Sequence, residues 1–217
     1  MGEAELDIVH QQIIIHSNII TYGDAADQSI TESIREEIET MWNQPTAIVL
    51  LKGKGFRVVF KILCSFQPAI TPEKIHADVN PRNNFFRIEE YASGNISFTD
   101  GIGSNSGYFK LENLYKGSTT AAHEYGHTIG LKHPEILDIR GKGQPGIMFP
   151  RGTLVDPQFQ YDATIPVGQT GATLNPIFRK VLQQDIDSLK LRKLPFNKNR
   201  FAIVGEFSNI YHQKQIP

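Results

Sequence analysis

HEYGHTIGLKH, residues 123–133, is the stretch from which the rest of this 217-residue chain can be interpreted. His123 and His127 are four residues apart, so on a helix both imidazoles lie on one face. A third ligand in the same row would bind along a line, whereas zinc prefers a tetrahedron. Gly130 can adopt a positive φ and turn the chain sharply, which could return His133 to the metal from another direction. The spacing predicts three imidazoles on one zinc ion.

Glu124 lies beside the first of these ligands but outside their row. Three neutral nitrogen ligands leave a fourth position open for water, which is the arrangement of a catalytic rather than a structural zinc site. Zinc lowers the pKa of bound water to about 7, so Glu124 could accept its proton and return it to a leaving amine. The alternative is three unrelated histidines on a core helix. Chance would match five fixed positions in eleven in about one chain in ten thousand.

The amino-acid composition argues against nucleic-acid binding and membrane binding. The chain is 40% hydrophobic and 21% charged, with a formal net charge of −1 and no long basic run. Nucleic acids and anionic membranes draw affinity from clustered Lys and Arg, so neither is expected as a partner. Cys64 is the single cysteine and cannot form an internal disulfide, so it is expected to pack as a small apolar residue.

Periodicity outside the motif predicts an α+β fold. One apolar stripe every four residues, Ile30 to Trp42, predicts a helix that Asn43-Gln44-Pro45 ends. Residues 67–84 are expected to form a loop, and residues 132–175 are rich in Gly and Pro and show no periodicity. The predicted strands are 11–22, 46–51, 56–66, 85–91, 95–99 and 107–111, and the predicted helices are 25–42, 118–131 (capped by Ser118 or Thr119) and 176–192 (capped by Asn175).

The motif resembles HExxHxxGxxH of the metzincin zinc metallopeptidases. Residues 146–150, Gly-Ile-Met-Phe-Pro, are similar to the clan's Met-turn, in which Met148 would form a hydrophobic floor for the metal. His133-Pro134 resembles serralysins, whereas Met148-Phe149-Pro150 and residues 181–187 resemble matrixins. The resemblance implies one catalytic domain over residues 1–217. Its upper lobe (about 1–133) would be a twisted mixed sheet with two helices, and its lower lobe (about 134–217) irregular, with the Met-turn and a C-terminal helix.

The same resemblance implies a zinc endopeptidase that hydrolyses proteins or peptides, with Gly130, Met148 and Pro150 supporting the site. Substrate would bind as an extended strand along an edge formed by residues 95–111, and residues 152–175 would form the lower wall. Two positions depart from the clan. Pro150 stands where serralysins and astacins carry a metal-proximal Tyr, so that role is either absent or filled by another group such as Tyr161. Gly152 replaces a pocket-lining Tyr of matrixins.

Several further expectations complete the interpretation. One catalytic zinc ion is expected. Residues 100–103 and Asn105 could hold a structural calcium ion, although a solvated turn is the commoner structure for such a sequence. The chain is expected to be a monomer that acts outside the cytoplasm, as a secreted or cell-surface protein. Two alternatives stay open: an inactive, zinc-stabilised binding module, and a protease effector or toxin with one dedicated target.

Overall fold

The computed structural model, which describes residues 1–216, is built around one mixed eight-stranded β-sheet. The strands are β1 (Gly2–Asp7), β2 (Gln12–Tyr22), β3 (Ile48–Leu51), β4 (Lys54–Phe66), β5 (Asn83–Glu89), β6 (Phe98–Thr99), β7 (Ser106–Lys110) and β8 (Phe201–Val204). The α-helices are α1 (Gln28–Asn43), α2 (Pro72–His76), α3 (Thr120–Thr128) and α4 (Gln183–Ser188). The predicted mixture of helices and a mixed sheet is confirmed. The two-lobe division and the single domain stay predictions.

The Ile-rich strand β2 is the centre of the sheet. It runs parallel to β4 on one side and to β5 on the other, and the start of β2 also pairs antiparallel with β1. β5 continues in parallel to β7, and β6 closes that end of the sheet as an antiparallel edge strand. Strands buried on both faces read as continuous apolar runs, which explains the isoleucines of β2.

Helix α1 connects the sheet to the helix that bears the motif. The carboxylate of Asp27 caps α1 by accepting a hydrogen bond from the Ile30 backbone N–H at 2.7 Å. Ile34, Ile38 and Trp42 are buried along its inner face, as the periodicity predicts. The Trp42 indole N–H donates to the Ala122 carbonyl at 3.1 Å, so α1 holds α3 through a buried hydrogen bond as well as apolar contact.

The predicted helix at 176–192 is wrong. Pro176–Phe178 form a single 3₁₀ turn, the chain is extended at Arg179, α4 covers only Gln183–Ser188, and Leu191–Lys193 form another 3₁₀ turn. Asn175 does cap the first turn, accepting from the Ile177 N–H at 3.3 Å. The Lys180 N–H then donates to the Pro145 carbonyl at 3.1 Å, so a tertiary hydrogen bond replaces the helical one.

Sequence patterns missed three short elements. β1 is polar and lacks alternation, and it is a strand because it pairs with both β2 and β8. β8 was not predicted, and α2 lies within the stretch expected to be a loop. The strand expected at 95–99 is reduced to β6, which follows a 3₁₀ turn at Ser93–Asn95. Tertiary pairing overrides weak local preference in each case.

The segment after β8 packs along the sheet and covers the turn at residues 100–106. Asn105 is fully buried, and its Oδ1 accepts from the Ser208 and Asn209 N–H groups at 2.9 Å each. Asp100 contacts His212, with 2.9 Å between Oδ2 and Nε2. The expected solvated turn is therefore wrong at Asp100 and Asn105, although Gly101 and Ile102 are exposed. Both side chains that could have bound calcium are engaged by protein atoms.

No helix among residues 1–216 has the length and apolar character needed to cross a bilayer.

Candidate metal centre

Helix α3, which bears the first two histidines, is buried along its whole length and is capped from α1. Thr119 occupies the N-cap position with φ of 57°, and its side chain makes no cap hydrogen bond. Ser118 contributes a contact instead, since its Oγ accepts from the Thr120 N–H at 3.2 Å. The Glu37 carboxylate of α1 accepts from the Ala122 N–H at 3.1 Å. An acidic group from a distant helix thus satisfies the N-terminus of α3.

Gly130 ends α3 in the way that the motif predicts. Its φ is +99°, a conformation in which glycine is strongly favoured. The Leu131 N–H donates to the Gly126 carbonyl at 2.9 Å and the Gly130 N–H to that of His127 at 3.0 Å, which closes the helix end. The reversed chain then brings His133 back towards α3.

The three predicted ligands converge. The Nε2 atom of His133 is 3.0 Å from that of His123 and 3.1 Å from that of His127. Within residues 1–216, these three histidines are the one group of three or more His, Cys, Asp or Glu side chains whose possible ligand atoms all lie within 4.8 Å of one another. Three nitrogens about 2.1 Å from one tetrahedral zinc ion lie roughly 3.4 Å apart. The observed separations approach that value to within a few tenths of an ångström.

Backbone carbonyls fix the orientation of two imidazoles. His123 Nδ1 lies 2.7 Å from the Ile147 carbonyl oxygen and His127 Nδ1 lies 2.8 Å from that of Leu131. A carbonyl only accepts, so each Nδ1 carries the hydrogen and each Nε2 offers a lone pair. Burial lowers the pKa of His123 and of His127, and lowers that of His133 to about 4. All three rings are therefore neutral at pH 7, as zinc ligation requires.

Glu124, the residue after His123 on α3, has a buried carboxyl group. Burial raises its pKa to about 8, an effect opposed by the positive charge of Arg179 and by hydrogen bonds from Thr99. The Thr99 hydroxyl donates to Glu124 Oε2 at 3.4 Å. A divalent cation on the neighbouring imidazoles would lower this pKa again, because it stabilises the carboxylate. Glu124 can therefore exchange a proton near neutral pH.

Met148 packs against α3, and its role as a Met-turn residue stays a prediction. Its Sδ occupies the space that a side chain at Gly126 would fill, and the turn's Ile147 carbonyl holds His123. Asp185 of α4 lies next to the turn, since a Cβ at Gly146 would be 3.2 Å from its Oδ1, and its Oδ2 accepts from the Leu182 N–H at 2.8 Å. Burial raises the Asp185 pKa to about 6, an effect opposed by the backbone N–H groups of Leu182 and Ile147. Pro150 accepts from the Thr153 N–H at 3.1 Å and stabilises the exit from the turn.

Gly152, one of the two positions that depart from the metzincin pattern, has open space around it. A Cβ at Gly152 would meet no atom within 4 Å. Tyr161 is half exposed, and its backbone N–H donates to the Thr173 carbonyl at 3.1 Å. Its proposed role at the metal stays a prediction.

Three residues of the site could not be identified from any sequence pattern. Glu37 and Thr99 reach α3 only through the tertiary fold, from a helix and a strand far along the chain. Arg179 is 5% exposed, and its charge lowers the pKa of all three histidines and of Glu124. An isolated Arg in an irregular segment would ordinarily be a surface residue.

Comparisons with known proteins give no family assignment. Neither a protein-family model nor a curated protein matches the sequence. Among solved structures, archaemetzincin from Methanopyrus kandleri is similar with 12% identity and a TM-score of 0.42, over 82% of this chain and 95% of that one. Myroilysin is similar with 11% identity and a TM-score of 0.31, over 63% of this chain and 57% of that one. Similarities of this size assign no activity, and the matrixin or serralysin resemblance stays a prediction.

Proposed function

We propose that this chain is a zinc-dependent peptidase that hydrolyses peptide bonds with Glu124 as its general base. The observation that carries the proposal is the convergence of three imidazole Nε2 atoms, 3.0 and 3.1 Å apart, beside a buried carboxyl group. Neutral nitrogen ligands of this number suit zinc and leave one coordination position for water.

The side chains that would hold the ion are His123, His127 and His133. In His123 and His127, Nδ1 donates to a carbonyl oxygen, so the lone pair lies on Nε2. These Nε2 lone pairs are available to bind a cation. When bound, zinc supplies Lewis acidity and lowers the pKa of a coordinated water to about 7. Gly130 and Met148 support this geometry from the helix end and from beneath.

Glu124 would move the proton. Its buried carboxyl group lies next to the ligand cluster and is held by Thr99, so it can take a proton from the attacking water and pass it to the leaving amine. An acid that protonates near pH 8 in its own pocket, and at a lower pH beside a cation, is suited to both steps near neutrality. The carboxylate performs both transfers without leaving its position.

Strand β6 is the proposed guide for the substrate. It pairs with β7 on one side, and it ends the sheet, so its outer edge is free within residues 1–216. Thr99 of β6 contacts Glu124, which puts that edge beside the proposed base. An extended peptide that added to this edge would carry its backbone past the metal.

The substitution Glu124→Gln tests the proposal. It keeps the size of the side chain but removes the group that accepts a proton, so cleavage of a mixed peptide pool should fall roughly 10²- to 10⁴-fold. Zinc content should stay at the wild-type value, because Glu124 is not a ligand. Glu135→Gln, at an exposed position, is the matched control and should keep full activity.

Full activity of Glu124→Gln would contradict the assignment of the base. A zinc-loaded wild-type protein that cleaves nothing in the pool would contradict the peptidase and favour the binding module.

A further inference from the structure

Arg179 is a buried cation without a counter-ion. It is 5% exposed, its Nε atom has no hydrogen-bond partner, and within residues 1–216 no carboxylate lies within 4 Å of its guanidinium. Buried charges in proteins are almost always paired, because an isolated one loses its hydration without compensation. The Arg179 charge lowers the pKa of two acidic groups, Glu37 and Glu124, but each has another hydrogen-bond partner: the N-terminus of α3 for Glu37 and Thr99 for Glu124.

The backbone at Arg179 is held between the Met-turn and helix α3. The next residue, Lys180, forms a bridge with Gly146, adjacent to the Ile147 carbonyl that holds His123. On the other side, the Thr119 hydroxyl donates to the Pro176 carbonyl at 2.9 Å. Arg179 is therefore fixed one residue from the floor of the metal site and close to the start of the ligand helix. The guanidinium is near enough to the histidines for its charge to lower the pKa of all three.

A second arginine, Arg151, carries a positive charge close enough to act on Arg179. Arg151 follows the turn at 146–150 and is exposed, and its Nη2 donates at 3.4 Å to the Oδ1 of Asn113, in the 3₁₀ turn after β7. Asn113 in turn donates to the Asn95 carbonyl at 3.3 Å, just before β6. Burial and then the Arg151 charge lower the pKa of Arg179 to about 10, because the two positive charges repel each other. Within residues 1–216 neither arginine has an acidic partner within 4 Å.

We propose that Arg179, with Arg151 at its rim, forms a carboxylate-binding subsite beside the metal centre. The substrate would then be a peptide with a carboxylate next to the bond that is cleaved. This rests on the proposed function. The planar guanidinium fork matches a carboxylate with two parallel hydrogen bonds, and a peptide can supply that group from an Asp or Glu side chain or from its C-terminus.

Cleavage profiling of a random decapeptide pool by the zinc-loaded full chain tests the subsite. The wild type should favour bonds next to Asp or Glu, or bonds next to a free C-terminus, by about tenfold or more over neutral equivalents, which corresponds to one charge-assisted hydrogen-bond pair. Arg179→Met should lose this preference. Lys180→Met removes the same charge at the adjacent exposed position and should keep it.

Amidation of the C-terminus distinguishes the two sources of the carboxylate. Loss of preference on amidation assigns the subsite to the chain terminus, and persistence assigns it to an acidic side chain; either result supports the proposal. A wild type without preference would overturn it. An equal fall in the cleavage rate of all peptides by Arg179→Met, with the preference unchanged, would also overturn the proposal, because Arg179 would then act on the reaction itself.

Two readouts do not depend on cleavage. In the Glu124→Gln background, fluorescein-labelled peptide pools that carry Glu at a fixed position should bind about tenfold more tightly than pools that carry Gln, and Arg179→Met should abolish the difference. The melting temperature of Arg179→Met should rise by about 2–4 °C, because an unpaired buried charge is removed. A lower melting temperature would show that the protein compensates Arg179 internally and would overturn the proposal. Failure of the proposed peptidase would leave both readouts intact.

Discussion

Gly126, at the centre of the ligand motif, shows why the motif tolerates no side chain at this position. A Cβ there would overlap Met148 Sδ and would lie 3.2 Å from Trp42 Cζ2. Both neighbours are buried, and Trp42 is held by its hydrogen bond to Ala122, so neither can move freely. The glycine is required by close packing between α3, the Met-turn and α1.

The substitution Gly126→Ala should therefore destabilise the protein despite the higher helix propensity of alanine. Overpacking of a filled core costs about 1–3 kcal/mol of unfolding free energy, and the displaced Met-turn should also weaken zinc binding. Urea unfolding monitored by fluorescence measures the first effect. Gly152→Ala, where a Cβ meets nothing within 4 Å, is the control and should change stability by less than about 0.5 kcal/mol. Equal stability of the two variants would show that the Met-turn yields.

Single residues were predictable where local geometry determines their role. Gly130 has the positive φ that the motif requires, and His133 returns to the other two histidines as expected. Glu37, Thr99 and Arg179 were not predictable, because each acts on the site from a distant part of the chain. The spacing of residues along the chain identifies those that would bind the metal. The residues that position the helix and set the charge around the site become visible only in the tertiary structure.

Helix α3 depends on another helix for its start. Its own N-cap residue provides no side-chain hydrogen bond, and Glu37 of α1 supplies the acceptor to the Ala122 N–H. The buried N-terminus of the ligand helix is thus coupled to the packing of α1 across the core. The two helices are expected to fold as one unit.

Glu37→Ala should cost about 1 kcal/mol, the usual loss for removal of a helix cap. Chemical denaturation measures the change, and hydrogen exchange at the Ala121 and Ala122 amides locates it. Glu36→Ala, one residue earlier and on the exposed face, should have little effect. Protection at Ala121 and Ala122 that is unchanged in Glu37→Ala would disprove the capping role.

Elements were predictable in proportion to their periodicity. The α1 stripe and the alternating strand β4 occur close to where they are expected, since one face of each is buried. The predicted C-terminal helix was wrong because residues 178–180 hydrogen-bond to the segment before the Met-turn: the Phe178 carbonyl accepts from Gln144 Nε2 and the Lys180 N–H donates to the Pro145 carbonyl. β1 and β8 were missed because pairing with other strands, and not a sequence pattern, makes them strands.

The segment after β8 links the C-terminal end of the chain to the sheet, because it runs back to the turn before β7 and hydrogen-bonds to it. Asn105 is its main anchor, with an Oδ1 that accepts from Ser208 and Asn209 and an Nδ2 that donates to Asn209 Oδ1 at 2.8 Å. The same region contacts Asp100 through His212. This arrangement supports β7 and therefore the edge strand β6 next to Glu124.

Asn105→Ala should lower the free energy of unfolding by roughly 2–4 kcal/mol, because it leaves several buried hydrogen-bonding groups without partners. Thermal unfolding measures the loss. Asn199→Ala, on an exposed turn, controls for the change of residue type and should be close to wild type. A fully stable Asn105→Ala protein would mean that the C-terminal segment contributes little to the sheet.

Zinc content tests the central claim most directly, measured by mass spectrometry on protein purified without added metal. The account predicts about one zinc ion per chain in the wild type. It also predicts strong loss of zinc in each of His123→Ala, His127→Ala and His133→Ala, with zinc retained in the control His10→Ala, whose side chain is exposed. A wild-type protein that takes up no zinc, or histidine variants that bind it as tightly as the wild type, would contradict the shared metal site.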